Sequence, residues 1–231
     1  MKDSEMIVQI YEISNPKEGI NLAELGVDHI GVLVGKGEYP REINPMYAKT
    51  IFESLPEETK RVTLSLSHHF GIISQIVRET KPDILHLGAL PELLSPNDVR
   101  NLKKEFPNLK IMRSIPVIDE MSIEVAKDYE GIADYLLLDT HQEGDNQIGA
   151  TGRVHDWNLS RRITDSINIP VILAGGLGPE NVAEAIQIVK PKGVDSKTKT
   201  DRPDGKAKDI EKVKLFVEIA KSLLYNHSSA D

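Results

Sequence analysis

The chain has 231 residues, and its 28 lysine and arginine residues against 36 aspartate and glutamate residues give a net charge of −8. This acidic balance argues against nucleic acid as the main partner, because binding a phosphate backbone requires clustered cationic side chains. The absence of cysteine excludes disulfides, zinc–thiolate sites and thiol catalysis. The first residues are charged with no apolar signal core behind them, and no apolar run approaches the ~20 residues of a membrane span. We therefore expect a cytoplasmic protein that acts away from membranes.

Eight strand-like apolar runs recur at an even pace, separated by stretches with helical periodicity. Most runs are continuously apolar, as in parallel strands that are buried on both faces. This alternation predicts an α/β protein with a closed (β/α)₈ TIM barrel, and residues 1–231 are expected to form a single domain. An open doubly wound sheet is the alternative, but eight even units in so short a chain favour closure. No exposed apolar stripe stands out, so a monomer or a homodimer is expected. The runs span residues 6–13, 29–35, 61–67, 83–88, 109–117, 134–140, 169–176 and 193–198.

The seventh run ends in a glycine-rich turn that opens a helix. Gly175, Gly176 and Leu177 end the run, and residues 178–181 lead into a segment with apolar residues on one helical stripe. Paired glycines let backbone N–H groups approach a ligand closely, and the positive end of a helix dipole favours negative charge. In TIM barrels phosphate commonly lies at the loops after strands 7 and 8. The turn is therefore predicted to bind phosphate.

Asp139 ends the sixth run, at the face of a barrel where active sites lie. A carboxylate there is suited to general acid or base catalysis, and it is equally suited to capping the turn that follows. Residues 141–153 form a long loop with several glycines, which is either a lid over a substrate or a solvated surface loop. The sequence leaves both alternatives open.

Several motifs together resemble the phosphoribosylanthranilate isomerases. They are LLLDT, GATGRVHDW, PVILAGGLGPENVAEAI, KPKGVD and a late KDIEKVKLF, with EYPREI earlier in the chain. The resemblance runs in register along the whole chain and is most specific after Tyr135. Members of that family are (β/α)₈ barrels of the ribulose-phosphate-binding type that act in tryptophan biosynthesis without cofactor or metal. They convert an aminoaldose phosphate to an aminoketose phosphate by an Amadori rearrangement, in which a general acid opens the furanose ring and a general base removes the C2′ proton.

The resemblance implies a role for each matching residue. Asp139 matches the general acid, and Arg41 matches the arginine that pairs with the anthranilate carboxylate, a task suited to a planar guanidinium group. Gly175, Gly176 and Leu177 match part of the phosphate site. The expected partner is therefore a small phosphorylated substrate.

The position of the family's catalytic base differs in this chain. Where the family reads KICGIT in strand 1, the chain reads QIYEIS, so Tyr11 stands at the cysteine position and Glu12 at the glycine position. A free tyrosine titrates near pH ~10 and is a poor base at neutral pH. The candidates for the base are Glu12, Tyr11 and His68, in that order.

Two further departures fall on strands 4 and 8. His86 stands where the family has glutamine, and strand 8 reads VDSKTKTD in place of VDVSSGVE, so that Lys197, Thr198 and Lys199 replace Ser, Ser and Gly. Lysine and threonine side chains bind phosphate, but they do not give a glycine's close backbone approach. We predict that His86, Lys197 and Thr198 contribute to the substrate site.

Histidines near the predicted barrel mouth suggest a second kind of site. His68 and His69 follow the third run, His86 lies in the fourth, and His141 follows Asp139. Together they would act as a base or as metal ligands, as in the metal-dependent phosphosugar epimerases that share this barrel. No tight ligand spacing such as HxH is present, and the seventh run ends without the aspartate that such epimerases use. We therefore predict no metal site.

Three functional interpretations follow. The chain is an isomerase with a substituted base, a relative that acts on another small phosphorylated or carboxylated ligand, or a binding protein that has lost catalysis. The whole-chain resemblance favours the first, whereas the changes at Tyr11 and at residues 197–199 favour the other two. The isomerase is the main hypothesis.

Overall fold

Eight parallel strands close into a barrel, in which each strand pairs with the next in the chain and the eighth pairs with the first. The computed structural model describes residues 6–141, 148 and 154–223. The closed order confirms the predicted (β/α)₈ barrel and excludes the open doubly wound sheet. Every predicted run contains one strand. The strands are β1 (Ile7–Ile10), β2 (His29–Leu33), β3 (Lys60–Ser65), β4 (Ile84–Leu87), β5 (Lys110–Pro116), β6 (Tyr135–Asp139), β7 (Val171–Leu173) and β8 (Gly193–Ser196).

In the described part of the chain, a helix follows each strand and covers the outside of the barrel. Asn15, Asn44 and Ser95 cap three of them, since each side-chain oxygen accepts a backbone N–H group of the first turn and a proline follows. A 3₁₀ turn, Thr198–Thr200, lies between β8 and the last helix. The helices are α1 (Pro16–Glu24), α2 (Pro45–Ser54), α3 (Phe70–Thr80), α4 (Pro96–Glu105), α5 (Met121–Lys127), α6 (Trp157–Ser166), α7 (Val182–Val189) and α8 (Ile210–Ser222).

Two apolar layers stabilise the barrel, one inside it and one between the strands and the helices. β2 and β4 are buried along their whole length, which accounts for continuously apolar runs in place of alternating ones. The described helices include none that is long and apolar enough to cross a membrane. The inner layer consists of Tyr11, Val62, Ile84, Met112, Leu137, Ile172 and Ala174.

Candidate active site at the barrel mouth

A cavity of about 300 Å³ opens at the carboxyl ends of the strands, the end at which TIM-barrel active sites lie. Its lining combines apolar residues with titratable and hydroxyl groups. The apolar lining consists of Leu33, Pro40, Leu64, Leu66, Leu137 and Ile148. The polar lining includes Tyr11, Glu12, His86, Ser114, Asp139, Asp195 and Lys197.

Asp139 ends β6 and borders this cavity, where its side chain is partly buried. Desolvation raises its pKa to about 7. The backbone N–H and the hydroxyl of Thr140 donate to its Oδ1 at 2.7 and 3.2 Å and oppose this shift, because they favour the charged form. A carboxyl group with such a pKa holds a proton part of the time at neutral pH. Asp139 is therefore suited to give up a proton to a ligand in the cavity.

Asp195 on β8 is a second buried carboxyl group at the same place, and sequence reasoning missed it. Burial raises its pKa to about 8, and the charge of Asp139 adds to the effect. The side-chain amide of Gln9 donates to its Oδ1 at 3.2 Å. Asp195 could have been found in the sequence as an ionisable residue inside a predicted barrel strand, because such a strand is buried on both faces.

A smaller cavity of about 30 Å³, the anion cavity, adjoins the first, and its lining combines a glycine turn and two lysines with two aspartates. Asp139, Asp195 and Lys197 border both cavities. The remaining lining comes from the turn after β7 and from the segment after β8, which is where TIM barrels bind phosphate, beside a short extra helix. The 3₁₀ turn occupies the place of that helix. The lining residues are Gly175, Gly176, Leu177, Ser196, Thr198 and Lys199. The predicted phosphate residues are therefore brought together.

The glycine turn after β7 has a backbone that requires glycine. Gly175 and Gly176 have φ values of 83° and 64°, in the region that L side chains rarely adopt. A Cβ atom on Gly175 would lie 2.7 Å from His155 Nδ1 and 3.2 Å from Asp139 Oδ1. In the described part of the chain, the amide groups of Gly176 and Leu177 donate to no protein acceptor, so they remain available to an anion.

Tyr11 is one end of a hydrogen-bonded chain inside the barrel that has His86 at its centre. Its hydroxyl oxygen is 2.5 Å from His86 Nδ1, and His86 Nε2 is 2.6 Å from Ser114 Oγ. Burial raises the pKa of Tyr11 well above 10, and burial together with the charge of Arg113 lowers the pKa of His86 to about 3. Both groups are therefore neutral at pH 7. The Tyr11 phenol remains protonated, which argues against its prediction as the base.

Glu12 follows in an unusual backbone conformation. Its φ is 61°, where a non-glycine residue costs about 1 kcal/mol or more. Its side chain is 9% exposed and borders the main cavity, and its Oε2 lies 3.3 Å from Lys197 Nζ. Strain of this kind clusters at functional sites. Of the three predicted bases, Glu12 is the one that brings a carboxylate to the lining of the main cavity.

Arg41 lies beside the cavity and is already bound to protein acceptors. Its Nη1 donates to Asp201 Oδ1 at 2.7 Å, and its Nη2 donates to the backbone carbonyl of Glu12. Asp201 also pairs at 2.8 Å with Lys208, whose side chain is fully buried. Arg41 does not border the cavity that Asp139 borders, so its predicted pairing with a ligand carboxylate stays a prediction.

The predicted histidines do not converge. His68 and His69 stack on each other at 4.1 Å between ring centroids and border a separate pocket between the loops after β2 and β3. His86 is inside the barrel, bound to Tyr11. The described residues include no group of three acidic or histidine side chains placed to hold a metal ion.

The loop of residues 141–153 and the motif GATGRVHDW fall mostly outside the described residues. Of the motif, residues 154–157 are described, and His155 Nε2 lies 2.7 Å from Ser160 Oγ. The two predicted roles of this loop, a lid over a substrate and a solvated surface loop, therefore both stay predictions.

Comparison with known proteins identifies the family. The family model described as N-(5′-phosphoribosyl)anthranilate (PRA) isomerase matches residues 13–219. The N-(5′-phosphoribosyl)anthranilate isomerase of Methanocella arvoryzae is 36% identical over 212 residues, which is 91% of this chain and 96% of the relative. The solved isomerase of Pyrococcus furiosus has a TM-score of 0.74 at 27% identity, over 94% of this chain and 99% of that one. A solved isomerase in complex with reduced 1-(o-carboxyphenylamino)-1-deoxyribulose 5-phosphate has a TM-score of 0.74 at 25% identity, with the same shares covered. The match over most of the chain shows that the protein belongs to the N-(5′-phosphoribosyl)anthranilate isomerase family.

Proposed function

We propose that this chain, acting as a single domain, isomerises N-(5′-phosphoribosyl)anthranilate in tryptophan biosynthesis. The observation that carries the proposal is the position of Asp139. It borders the small anion cavity on one side and the main cavity with its apolar wall on the other. The substrate has the matching order of parts, a phosphate, a ribose and an aromatic ring. A carboxyl group between the two cavities faces the ribose, where the proton transfers occur.

The binding mode follows from this arrangement. The phosphate lies on the turn of Gly176 and Leu177, whose amide groups donate to no acceptor among the described residues, and contacts Thr198 and Lys197 of the same lining. The aromatic ring lies against the apolar wall that includes Leu64. The ribose then spans the gap between the two cavities.

Asp139 supplies the acid for ring opening. It gives its proton to the furanose oxygen as the bond from that oxygen to C1′ breaks, which leaves an iminium group at C1′. Its pKa of about 7 places enough of it in the protonated form at neutral pH for this role. The base then removes the C2′ proton, and the enolamine so formed rearranges to the ketose.

We assign the base to Glu12. Tyr11 keeps its proton because its pKa is far above neutral, and its hydroxyl is bound to His86. His68 borders another pocket. Glu12 borders the main cavity together with Asp139, so the acid and the base meet the same ribose.

The test is turnover of N-(5′-phosphoribosyl)anthranilate by purified protein, together with complementation of a tryptophan auxotroph that lacks the isomerase. We expect turnover in vitro and growth without tryptophan. Folded protein that gives neither result rejects the proposal.

One observation favours a second candidate, isomerisation of a sugar phosphate without a carboxylate. The guanidinium group that would bind the carboxylate of anthranilate, on Arg41, is bound to Asp201 and to the Glu12 carbonyl. A panel of sugar phosphates with and without an anthranilate group distinguishes the two, since the second candidate predicts faster turnover of compounds without the carboxylate.

A further inference from the structure

Lys197 and Glu12 form an ion pair that joins the two cavities. The pair links the segment after β8 to the segment after β1, with 3.3 Å between Lys197 Nζ and Glu12 Oε2. Lys197 borders both the anion cavity and the main cavity, whereas Glu12 borders the main cavity. The same ammonium group therefore faces the site of the phosphate and the proposed base.

Glu12 depends on this ammonium group because its other contacts are weak. Its side chain is 9% exposed, and in the described part of the chain Oε2 makes no hydrogen bond. The next cationic atom, Arg41 Nε, is 4.0 Å from Oε2, while the Nη atoms of that arginine are bound to Asp201 and to the carbonyl of Glu12. Displacement of Lys197 would leave a nearly buried carboxylate with a distant partner, and such a carboxylate binds a proton more readily.

Lys197 is built to move its ammonium group while its backbone stays in place. Its carbonyl accepts from the buried Lys208 Nζ at 2.8 Å and from Thr200 Oγ1 at 3.1 Å. Its side chain is 27% exposed and has the flexible four-carbon stem of lysine. A phosphate dianion offers more charge and more acceptor oxygens than one carboxylate, so it competes successfully for the ammonium group.

We propose that Lys197 is a phosphate-operated latch on Glu12. Phosphate that enters the anion cavity draws the ammonium group away from Glu12, and the freed carboxylate then accepts the C2′ proton. The C2′–H bond breaks, its electron pair forms the C1′–C2′ double bond, and the iminium π electrons pass to nitrogen, so the base becomes active only when a phosphorylated ligand is bound. The reaction step rests on the proposed function, whereas the coupling between phosphate and Glu12 does not.

The coupling is tested by calorimetric titration with inorganic phosphate, which needs no turnover. Because Glu12 competes with phosphate for Lys197, we expect Glu12→Gln to tighten phosphate binding by about tenfold and Lys197→Met to weaken it by about tenfold. In the Lys197→Met background, Glu12→Gln should change the affinity by less than about twofold. An undiminished effect of Glu12→Gln in that background overturns the latch.

Lys199→Met is the matched control, because Lys199 also borders the anion cavity but pairs with Glu180 at 3.5 Å and not with Glu12. The full effect of Glu12→Gln should persist in the Lys199→Met background. If Lys199→Met abolishes that effect as Lys197→Met does, the coupling is a general field effect and the latch is wrong. If Glu12→Gln fails to fold, Glu12→Gly replaces it, since glycine suits the positive φ.

Turnover separates the latch from the proposed function. Coupling without turnover of N-(5′-phosphoribosyl)anthranilate supports the latch and rejects the proposed reaction. Turnover without coupling supports the reaction and rejects the latch.

Discussion

The protonation state of the Asp139 carboxyl group should control the rate of the proposed reaction. Its acid form predominates below its pKa of about 7 and is lost above it. We therefore expect kcat to fall as pH rises through about 7. Asp139→Asn keeps the shape of the side chain and removes the proton, and it should lower kcat by about 10²–10⁴-fold at pH 6.5. A pH–rate profile of both proteins measures these effects.

Asp165→Asn is the control for this prediction, since Asp165 is 55% exposed on α6 and pairs with Arg161. It should leave kcat unchanged. A wild-type rate that climbs steadily above pH 8, or an Asp139→Asn rate within tenfold of wild type, would contradict the acid assignment.

Tyr11 allows structural and catalytic roles to be separated. Tyr11→Phe removes the hydroxyl that binds His86 and leaves a buried ring nitrogen without its partner. We expect the free energy of unfolding to fall by about 1–3 kcal/mol. Because the phenol is not the base, kcat should fall by less than about tenfold, far less than the 10²–10⁴-fold that loss of a catalytic acid or base costs. Urea unfolding and steady-state kinetics measure the two quantities.

Ser114→Ala serves as the companion to Tyr11→Phe, because it cuts the same chain at its other end. Similar losses of stability in both variants would support a structural chain. A loss of kcat in Tyr11→Phe as large as that in Asp139→Asn would instead make the phenol a catalytic group.

Between elements, the departures from the family's motifs occur as contacting pairs. Tyr11 directly after β1 and His86 on β4 replace cysteine and glutamine and bind each other at 2.5 Å. Glu12 after β1 and Lys197 after β8 replace glycine and serine and pair at 3.3 Å. In the first pair each residue alone would bury an unpartnered polar group, and in the second pair Lys197 places a cation beside the nearly buried carboxylate of Glu12. Both pairs therefore include a residue of the segment directly after β1, Tyr11 in the first and Glu12 in the second.

The turn between β7 and α7 is sensitive to a single methyl group. Gly175→Ala would place a Cβ 2.7 Å from His155 Nδ1 in a backbone with φ of 83°. Gly37→Ala meets the same backbone strain, with φ of 85°, but nothing within 4 Å. We expect both variants to be less stable by about 1 kcal/mol from strain, and Gly175→Ala by about 1–3 kcal/mol more from the clash. Urea unfolding measures the difference.

Phosphate binding adds a second readout for these two glycine variants. Gly175→Ala moves the anion cavity, so calorimetry should show weaker binding of inorganic phosphate. Gly37→Ala should bind phosphate as the wild type does. Equal stability and equal phosphate affinity in both variants would mean that the close approach at Gly175 has no consequence.

The sequence predicted the eight strands and the glycine turn after β7 because both have local signals, whereas phosphate binding at that turn stays a prediction. A strand buried on both faces reads as a continuous apolar run, and a turn with positive φ reads as paired glycines. Asp195 was missed because a lone carboxylate in a strand looks like a polar edge until the closed barrel buries it. Arg41 and Asp201 are 160 residues apart, and no local pattern encodes which loops face each other across the mouth.

The barrel as a whole encloses two carboxyl groups that resist ionisation. Asp139 and Asp195 lie on β6 and β8, separated only by the short strand β7, and the charge of Asp139 adds to the high pKa of Asp195. Ionisation of both carboxyl groups at the barrel mouth lowers the free energy of unfolding, because the two negative charges are desolvated and repel each other. The fold thus loses stability to keep an acid protonated at neutral pH, as active sites commonly do.

This loss appears as a pH dependence of the stability of the whole molecule. The pKa of Asp195 is about 8 in the folded protein, whereas the ordinary value of an aspartate is 3.8. Between about pH 4 and pH 8 the folded protein keeps a proton that the unfolded chain has released, so the contribution of Asp195 to the free energy of unfolding falls as pH rises and levels off above pH 8.

Asp195→Asn removes this contribution. The variant should therefore gain stability relative to wild type with rising pH, by about 4 kcal/mol between pH 5 and pH 9. Urea unfolding at the two pH values measures this difference, which includes the effect of the substitution on the neighbouring Asp139. The exposed Asp165→Asn should show no such gain. Parallel stability curves for wild type and Asp195→Asn would show that Asp195 ionises freely in the folded barrel.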